Sequence, residues 1–235
     1  MSKREELREK RRKQEQRKRT ALIILVSLIA VAIAAGFILP GVMDSLSPVG
    51  PIIEITPNPR PNADRNSMGD PNAPVKVEEF SDFQCPFCRD YAESFKSSVV
   101  KDYVESGKVY FTYRTFKVIG NESDLAAQAA YCAADQNKFW EYQDILFANQ
   151  GAENSGQINQ RWLSALAEKV GLNVDQFDSC FNTGKYRSQV NSDQAAGIAL
   201  GVNSTPSFAI NGKLIEFQRM NEIDEAITAA VESSQ

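Results

Sequence analysis

Two cysteines spaced by a proline and a phenylalanine, Cys85-Pro86-Phe87-Cys88, constrain this chain more than any other feature. A strand-like run, Val75-Lys76-Val77-Glu78-Glu79-Phe80, precedes them, and Ser81-Asp82-Phe83-Gln84 reads as a turn. A helix is expected to open at the motif and run to about residue 106. Pro86 suits the first helical position, where its missing N–H would have no partner anyway. Cys85 then falls at the helix N-cap and Cys88 one turn inside, at a separation a disulfide can close. Unpaired N–H groups and the helix dipole would favour a thiolate at Cys85. The thiolate is the form that attacks a disulfide, and Cys88, further in, would resolve the mixed disulfide.

The same motif could be half of a zinc site or a static disulfide. A zinc ribbon needs a second C-x-x-C or a histidine pair. This chain has no histidine, and its other cysteines, Cys132 and Cys180, stand far apart. The missing histidine also removes Ser-His-Asp and Cys-His catalysis. No metal and no cofactor is expected.

The net charge of −4 hides an asymmetry. The first 19 residues hold ten Lys or Arg against four Glu, so the remainder is strongly acidic and does not suggest nucleic-acid binding. Residues 21–39 then carry no charge. At ~1.5 Å per residue they reach roughly 28 Å, close to the ~30 Å of a bilayer core. A transmembrane helix over 20–39 is expected. A cleaved signal peptide is the other reading, with Ala32-Ile33-Ala34 as a small-x-small site. The cations on one flank put residues 1–19 in the cytoplasm and everything after Pro40 outside it.

Eight of the ten prolines fall between Pro40 and Pro74, with no surviving hydrophobic period. Residues 40–72 therefore read as an extended extracytoplasmic linker. The folded domain is expected over 73–235. Strands are expected over 75–80, 109–115, 207–210 and 213–216. Helical spacing appears over 125–134, 139–148, 162–170 and 186–200, with a short segment at 174–181. Phe139, Tyr142, Ile145 and Leu146 follow one helical face and read as core. Cys132 and Cys180 could be two buried free thiols. Outside the cytoplasm a structural disulfide is favoured, and closing roughly 49 residues it would contribute at most about 4 kcal/mol.

The stretch from Glu79 to Cys88 resembles the DsbA family of thiol–disulfide oxidoreductases. Asn203-Ser204-Thr205-Pro206-Ser207-Phe208-Ala209-Ile210-Asn211-Gly212 resembles that family's cis-proline loop and hairpin. Residues 130–140 resemble its helical insertion, and the likeness covers residues 70–235. It implies an α/β thioredoxin fold with an inserted helical subdomain at about 120–200, preceded here by one N-terminal transmembrane helix. It implies Cys85 as nucleophile, Cys88 as resolving thiol, Pro206 as a cis-proline after Thr205, and Glu79 as a buried acid near the thiols. On the residues alone, Glu79 could equally be a surface strand residue. Pro86 and Phe87 would tune the couple; strongly oxidising members carry a histidine where Phe87 stands. The implied activity is insertion of disulfides into reduced or unfolded exported polypeptides. A membrane redox partner of the DsbB or vitamin K epoxide reductase type would recharge the pair. A reductase or isomerase of the same fold, and a non-catalytic polypeptide-binding chaperone, are the competing readings.

Overall fold

Alternating apolar residues make Val75–Ser81 (β2) the central strand of a five-stranded sheet. The strand pairs in parallel with Val109–Thr115 (β3) and antiparallel with Ser207–Ile210 (β4). Lys213–Ile215 (β5) closes one edge by a hairpin, and two-residue Ser67–Met68 (β1) closes the other. The computed structural model describes residues 16, 18–20, 22–28 and 49–234. Among the described residues no helix is long and apolar enough to cross a membrane. Residues 20 and 22–28 are helical, while residues 21 and 29–39 of the expected span, residues 1–15 and 17 of the basic segment, and residues 40–48 lie outside the described residues.

One face of the sheet carries Val75, Val77, Glu79 and Ser81. A long helical stretch lies over it, running through Pro86–Asp90 (α1), a π-helical Tyr91–Phe95, Lys96–Val99 (α2) and a π-helical Val100–Val104. The C-terminal helix Asn221–Ser233 (α8) buries Ile223, Ile227 and Val231 in the same core. Ser98 donates to Asp224 at 3.0 Å between the two helical layers.

Between β3 and β4 stand Asn121–Ala134 (α3), Phe139–Ala148 (α4), Gln160–Lys169 (α5), Val174–Asn182 (α6) and Arg187–Leu200 (α7). Asn159 and Asn173 cap α5 and α6, each side chain accepting the backbone N–H of the third residue of its helix, Trp162 and Gln176. The face of α4 read as core is core: Phe139, Tyr142, Ile145 and Leu146 are all buried. Cys132 of α3 and Cys180 of α6 form a disulfide, with Cα atoms 5.8 Å apart. Helix α7 covers the opposite face of the sheet. It approaches so closely at Gly197 that a Cβ there would stand 2.6 Å from the Phe116 ring. The carboxylate of Asp193, on the same helix and fully buried, accepts from the Thr115 N–H and hydroxyl at 3.1 Å, and from Arg114, Gln189 and Tyr131. A buried charge is tolerable when its lone pairs are all met in this way.

The described part of the expected linker corrects the sequence reading. From residue 49 onward the chain is docked on the domain rather than extended away from it. Val49, Ile52 and Ile55 pack against the core. The Ile53 N–H donates to the Asn149 side chain at 2.7 Å, and that side chain donates back to the Ile53 carbonyl at 2.9 Å. Arg60 pairs with Asp144 at 2.8 Å and lies over the Trp140 ring. Ser67 and Met68 then join the sheet beside β3. Scattered prolines erase periodicity, but isolated apolar residues and one arginine still find partners some 80 to 100 positions later.

Candidate active site

The turn before the motif is held by its own aspartate. Asp82 is buried and accepts from the N–H of Gln84 at 2.9 Å and from those of Val118 and Ile119 at 2.9 and 3.1 Å. The Asp82 carbonyl accepts the Cys85 N–H at 3.0 Å. This brings the chain out of β2 and into α1 with Cys85 as N-cap and Pro86 at the first helical position, as the spacing predicts. Cys88 lies one turn on and is fully buried.

The second wall comes from 120 residues away. The Thr205–Pro206 peptide bond is cis, Pro206 is buried, and the Cys85 Sγ donates to the Thr205 carbonyl at 3.3 Å. A groove of about 480 Å3 opens beside this contact, lined by Phe87, Thr205, Pro206, Leu214, Phe217 and Met220. Phe87 is 62% exposed and projects into solvent at its rim. Cys85, Cys88, Pro86, Phe87, Thr205 and Pro206 are thus gathered at one place, while the Cys132–Cys180 disulfide ties the helical insertion.

The two thiols are driven apart electrostatically. Cys85 is drawn down to about 6, first by the hydrogen bond from Cys88. Burial opposes this, and the Thr205 side chain with the backbone N–H groups of Cys88 and Phe87 adds to it. Cys88 is pushed well up, by burial first and then by its bond and charge interaction with Cys85. One sulfur is thereby prepared to attack and the other to stay protonated behind it.

Beneath Cys88 the sheet is polar where a core would be apolar. Glu79 is fully buried and stands in register with Tyr113 of β3 and Phe208 of β4. Burial raises the phenols of Tyr91 and Tyr113 well above their ordinary range, and the nearby Glu79 charge raises both further. Glu79 is thus an interior residue, as the family resemblance implies.

The thioredoxin family model matches residues 62–229. The chain belongs to the DsbA-like branch of the thioredoxin family. It is 33% identical over 154 residues to probable disulfide bond formation protein D of Bacillus cereus, spanning 64% of this chain and 71% of that one. Disulfide bond formation protein D of Bacillus subtilis is 27% identical over 68% of this chain and 74% of its own. The crystal structure of oxidised BdbD from Bacillus subtilis superposes with a TM-score of 0.66 at 24% identity, covering 77% of this chain and 98% of that one. The chain is a thiol–disulfide oxidoreductase with Cys85 and Cys88 as its C-x-x-C pair.

Sequence reasoning did not find the clamps that the helical insertion places on this oxidoreductase's redox loop. Gln150, just past α4, donates from one Nε2 to the carbonyls of Phe83 at 2.8 Å and Cys85 at 3.0 Å. Gln84 donates to the Ser123 hydroxyl at 2.8 Å and accepts the Asn154 N–H at 2.8 Å. No local signal marks these residues, because each polar side chain reads alone as ordinary surface.

Proposed function

We propose that this oxidoreductase inserts disulfides into reduced or unfolded polypeptides outside the cytoplasm, acting as oxidant through Cys85 and Cys88. The observation that carries this reading is the placement of Cys85 at a helix N-terminus, against the Thr205–Pro206 loop, with Cys88 sealed behind it. A stabilised Cys85 thiolate stabilises the reduced protein and makes the disulfide a better oxidant. In this reading a substrate thiolate attacks the Cys85 sulfur, Cys88 leaves, and a second substrate thiol displaces Cys85. Thr205 and Pro206 shape the groove that receives an extended chain, Glu79 serves proton transfer, and Cys132–Cys180 is structural. The domain would follow a cytoplasmic segment 1–19 and an anchor at 20–39. Leu22, Ile23, Ile24, Leu25, Val26 and Leu28, exposed along the described turns, support a lipid-facing helix. A DsbB-type or vitamin K epoxide reductase-type membrane protein would reoxidise the pair.

The Phe87 side chain favours a second reading, since its ring offers Cys85 no charge and no donor beyond the backbone N–H. That reading is a reductase or isomerase of the same fold. The reduction potential of the Cys85–Cys88 couple decides between them. An oxidant is expected to be less negative than roughly −200 mV and to restore activity to reduced, unfolded ribonuclease. A potential near −270 mV, with efficient insulin reduction instead, would establish the reductase.

A further inference from the structure

Cys88 is fully buried, so its proton has no direct route to water. In the reduced protein its S–H is held by the Cys85 sulfur. That acceptor vanishes once Cys85 is tied up in a mixed disulfide, which is the moment when Cys88 must ionise to attack. A buried hydroxyl that does bear on Cys88 is that of Ser81. It lies at the end of β2, two residues beyond Glu79 on the same face, and is itself fully buried. Its oxygen makes no hydrogen bond of regular geometry, although a buried hydroxyl ordinarily does. It is nonetheless close enough to act on two groups, the Cys88 thiol and the Tyr113 phenol. Tyr113 in turn sits beside Glu79 in the strand register and within reach of its charge. Val75, Val77, Phe111 and Phe208 surround this column, so the polar residues form a line within an apolar layer.

We propose that Ser81 is the proton relay of the resolving cysteine, linking Cys88 through Tyr113 to Glu79. The proposal rests on the dithiol–disulfide reading of the Cys85–Cys88 pair. When Cys88 attacks, its S–H proton moves to the Ser81 oxygen while the Ser81 proton passes to Tyr113 and the Tyr113 proton to Glu79. The Cys88 sulfur forms its bond to Cys85, and the bond between Cys85 and the substrate sulfur breaks, releasing a thiolate. Two thiols' worth of electrons are accounted for by the sulfur–sulfur bonds exchanged. In the oxidising direction the order reverses: Cys88 leaves as a thiolate and is reprotonated along the same line.

Stopped-flow reaction of the reduced full chain with an aromatic disulfide, dithiobis(nitrobenzoate), separates the steps. The first nitrothiobenzoate released reports attack by Cys85, and the second reports attack by Cys88. Ser81→Ala is expected to leave the first phase unchanged and to slow the second by roughly tenfold or more, the scale of one charge-assisted hydrogen bond. Tyr113→Phe should slow the same phase and add little to Ser81→Ala. Ser81→Thr, which keeps the hydroxyl, should restore much of the rate. A second phase of wild-type rate in Ser81→Ala overturns the relay, as does an equal slowing of both phases. A wild-type protein without a fast first phase would instead overturn the dithiol reading on which the relay stands.

Discussion

The Sγ of Cys85 donates to the carbonyl oxygen of Thr205 at 3.3 Å, across 120 residues of sequence. That bond exists only while the sulfur is protonated. On ionisation the sulfur loses the carbonyl as a partner and needs donors instead. The Cys88 thiol, the Thr205 side chain and the N–H groups of Phe87 and Cys88 supply them. The loop holds the thiol through the Thr205 carbonyl, and the buried Thr205 hydroxyl, which makes no regular hydrogen bond, is close enough to favour the thiolate.

Thr205→Val removes the side-chain donor and keeps the carbonyl. A net hydrogen bond of ~0.5–1.5 kcal/mol corresponds to an upward shift of about 0.4–1 unit in Cys85. The potential should become roughly 10–30 mV more negative, because the reduced form loses that stabilisation. Thiolate absorbance near 240 nm against pH measures the first and glutathione equilibration the second. A valine variant with unchanged titration would remove Thr205 from the list of donors.

The opposed shifts of the two cysteines fix how the reduced protein responds to pH. Cys85, depressed to about 6 against an unfolded value of ~8.5, contributes stability that is present above ~8.5 and lost as pH falls through 6. Cys88, raised, contributes stability that is present below ~8.5 and lost at higher pH. The difference in melting temperature between the reduced wild type and a Cys85→Ser/Cys88→Ser variant should thus rise from pH 6 to about 8.5 and fall beyond it. Iodoacetamide should label Cys85 with a half-maximal rate near pH 6 and leave Cys88 slow. Faster labelling of Cys88 would reverse the two roles.

Gln150 is expected to act as a positioning residue. Its amide satisfies the carbonyls of Phe83 and Cys85 together, so Gln150→Leu leaves both without that donor and loosens the turn that aims Cys85. A cost of about 1–3 kcal/mol in stability is expected. A purely structural role would stop there; a positioning role also raises the Cys85 titration midpoint. Gln150→Glu, which puts an acceptor against two acceptors, should be the worse of the two on both measures.

What the sequence made legible, and what it did not, follows the range of the forces involved. Cys85 at the N-cap and Pro86 behind it obey rules that act within one turn, and the structure keeps them. The core face of α4 obeys a period of 3.6 residues, and it too is kept. Glu79 needed the family likeness, because a lone acid in a strand is ambiguous until its cross-strand neighbours are known. Gln150, Asn154 and Ser123 escaped because their partners lie about 40 to 70 residues away. The segment from 49 onward misled for a related reason: its composition describes a tether, while its contacts are single residues finding distant pockets. Nothing in the local sequence announces the π-helical turns at Tyr91–Phe95 and Val100–Val104 either.

Replacing both Cys132 and Cys180 by serine should lower stability and spare catalysis. The closed loop spans 48 positions, for which chain entropy gives about 4 kcal/mol, and about 2–4 kcal/mol is expected in practice. Urea unfolding of the oxidised proteins measures it. The variant should oxidise reduced ribonuclease at close to the wild-type rate below its melting range. A folded variant that has lost this activity would mean that the second disulfide takes part in electron transfer.

Phe87→His addresses the step from thiolate stability to redox strength. Phe87 stands at the rim of the groove, exposed, between the two cysteines in sequence. The Phe87 backbone N–H already helps hold Cys85 down, but its ring supplies nothing further to the sulfur. An imidazole there adds a donor, charged in the acidic range, and the exposed position lets it do so without repacking the core. A charge-assisted hydrogen bond of about 1.5–3 kcal/mol should lower the Cys85 midpoint by roughly 1–2 units. At ~30 mV per ~1.4 kcal/mol, the potential should become less negative by roughly 30–65 mV. Equilibration with glutathione at pH 7 measures the shift. An unchanged or more negative potential would show that the position before Cys88 does not govern the thiolate in this protein. The donors that the wild type already holds, the Cys88 thiol, the Thr205 side chain and the backbone N–H groups of Cys88 and Phe87, would then set its oxidising strength.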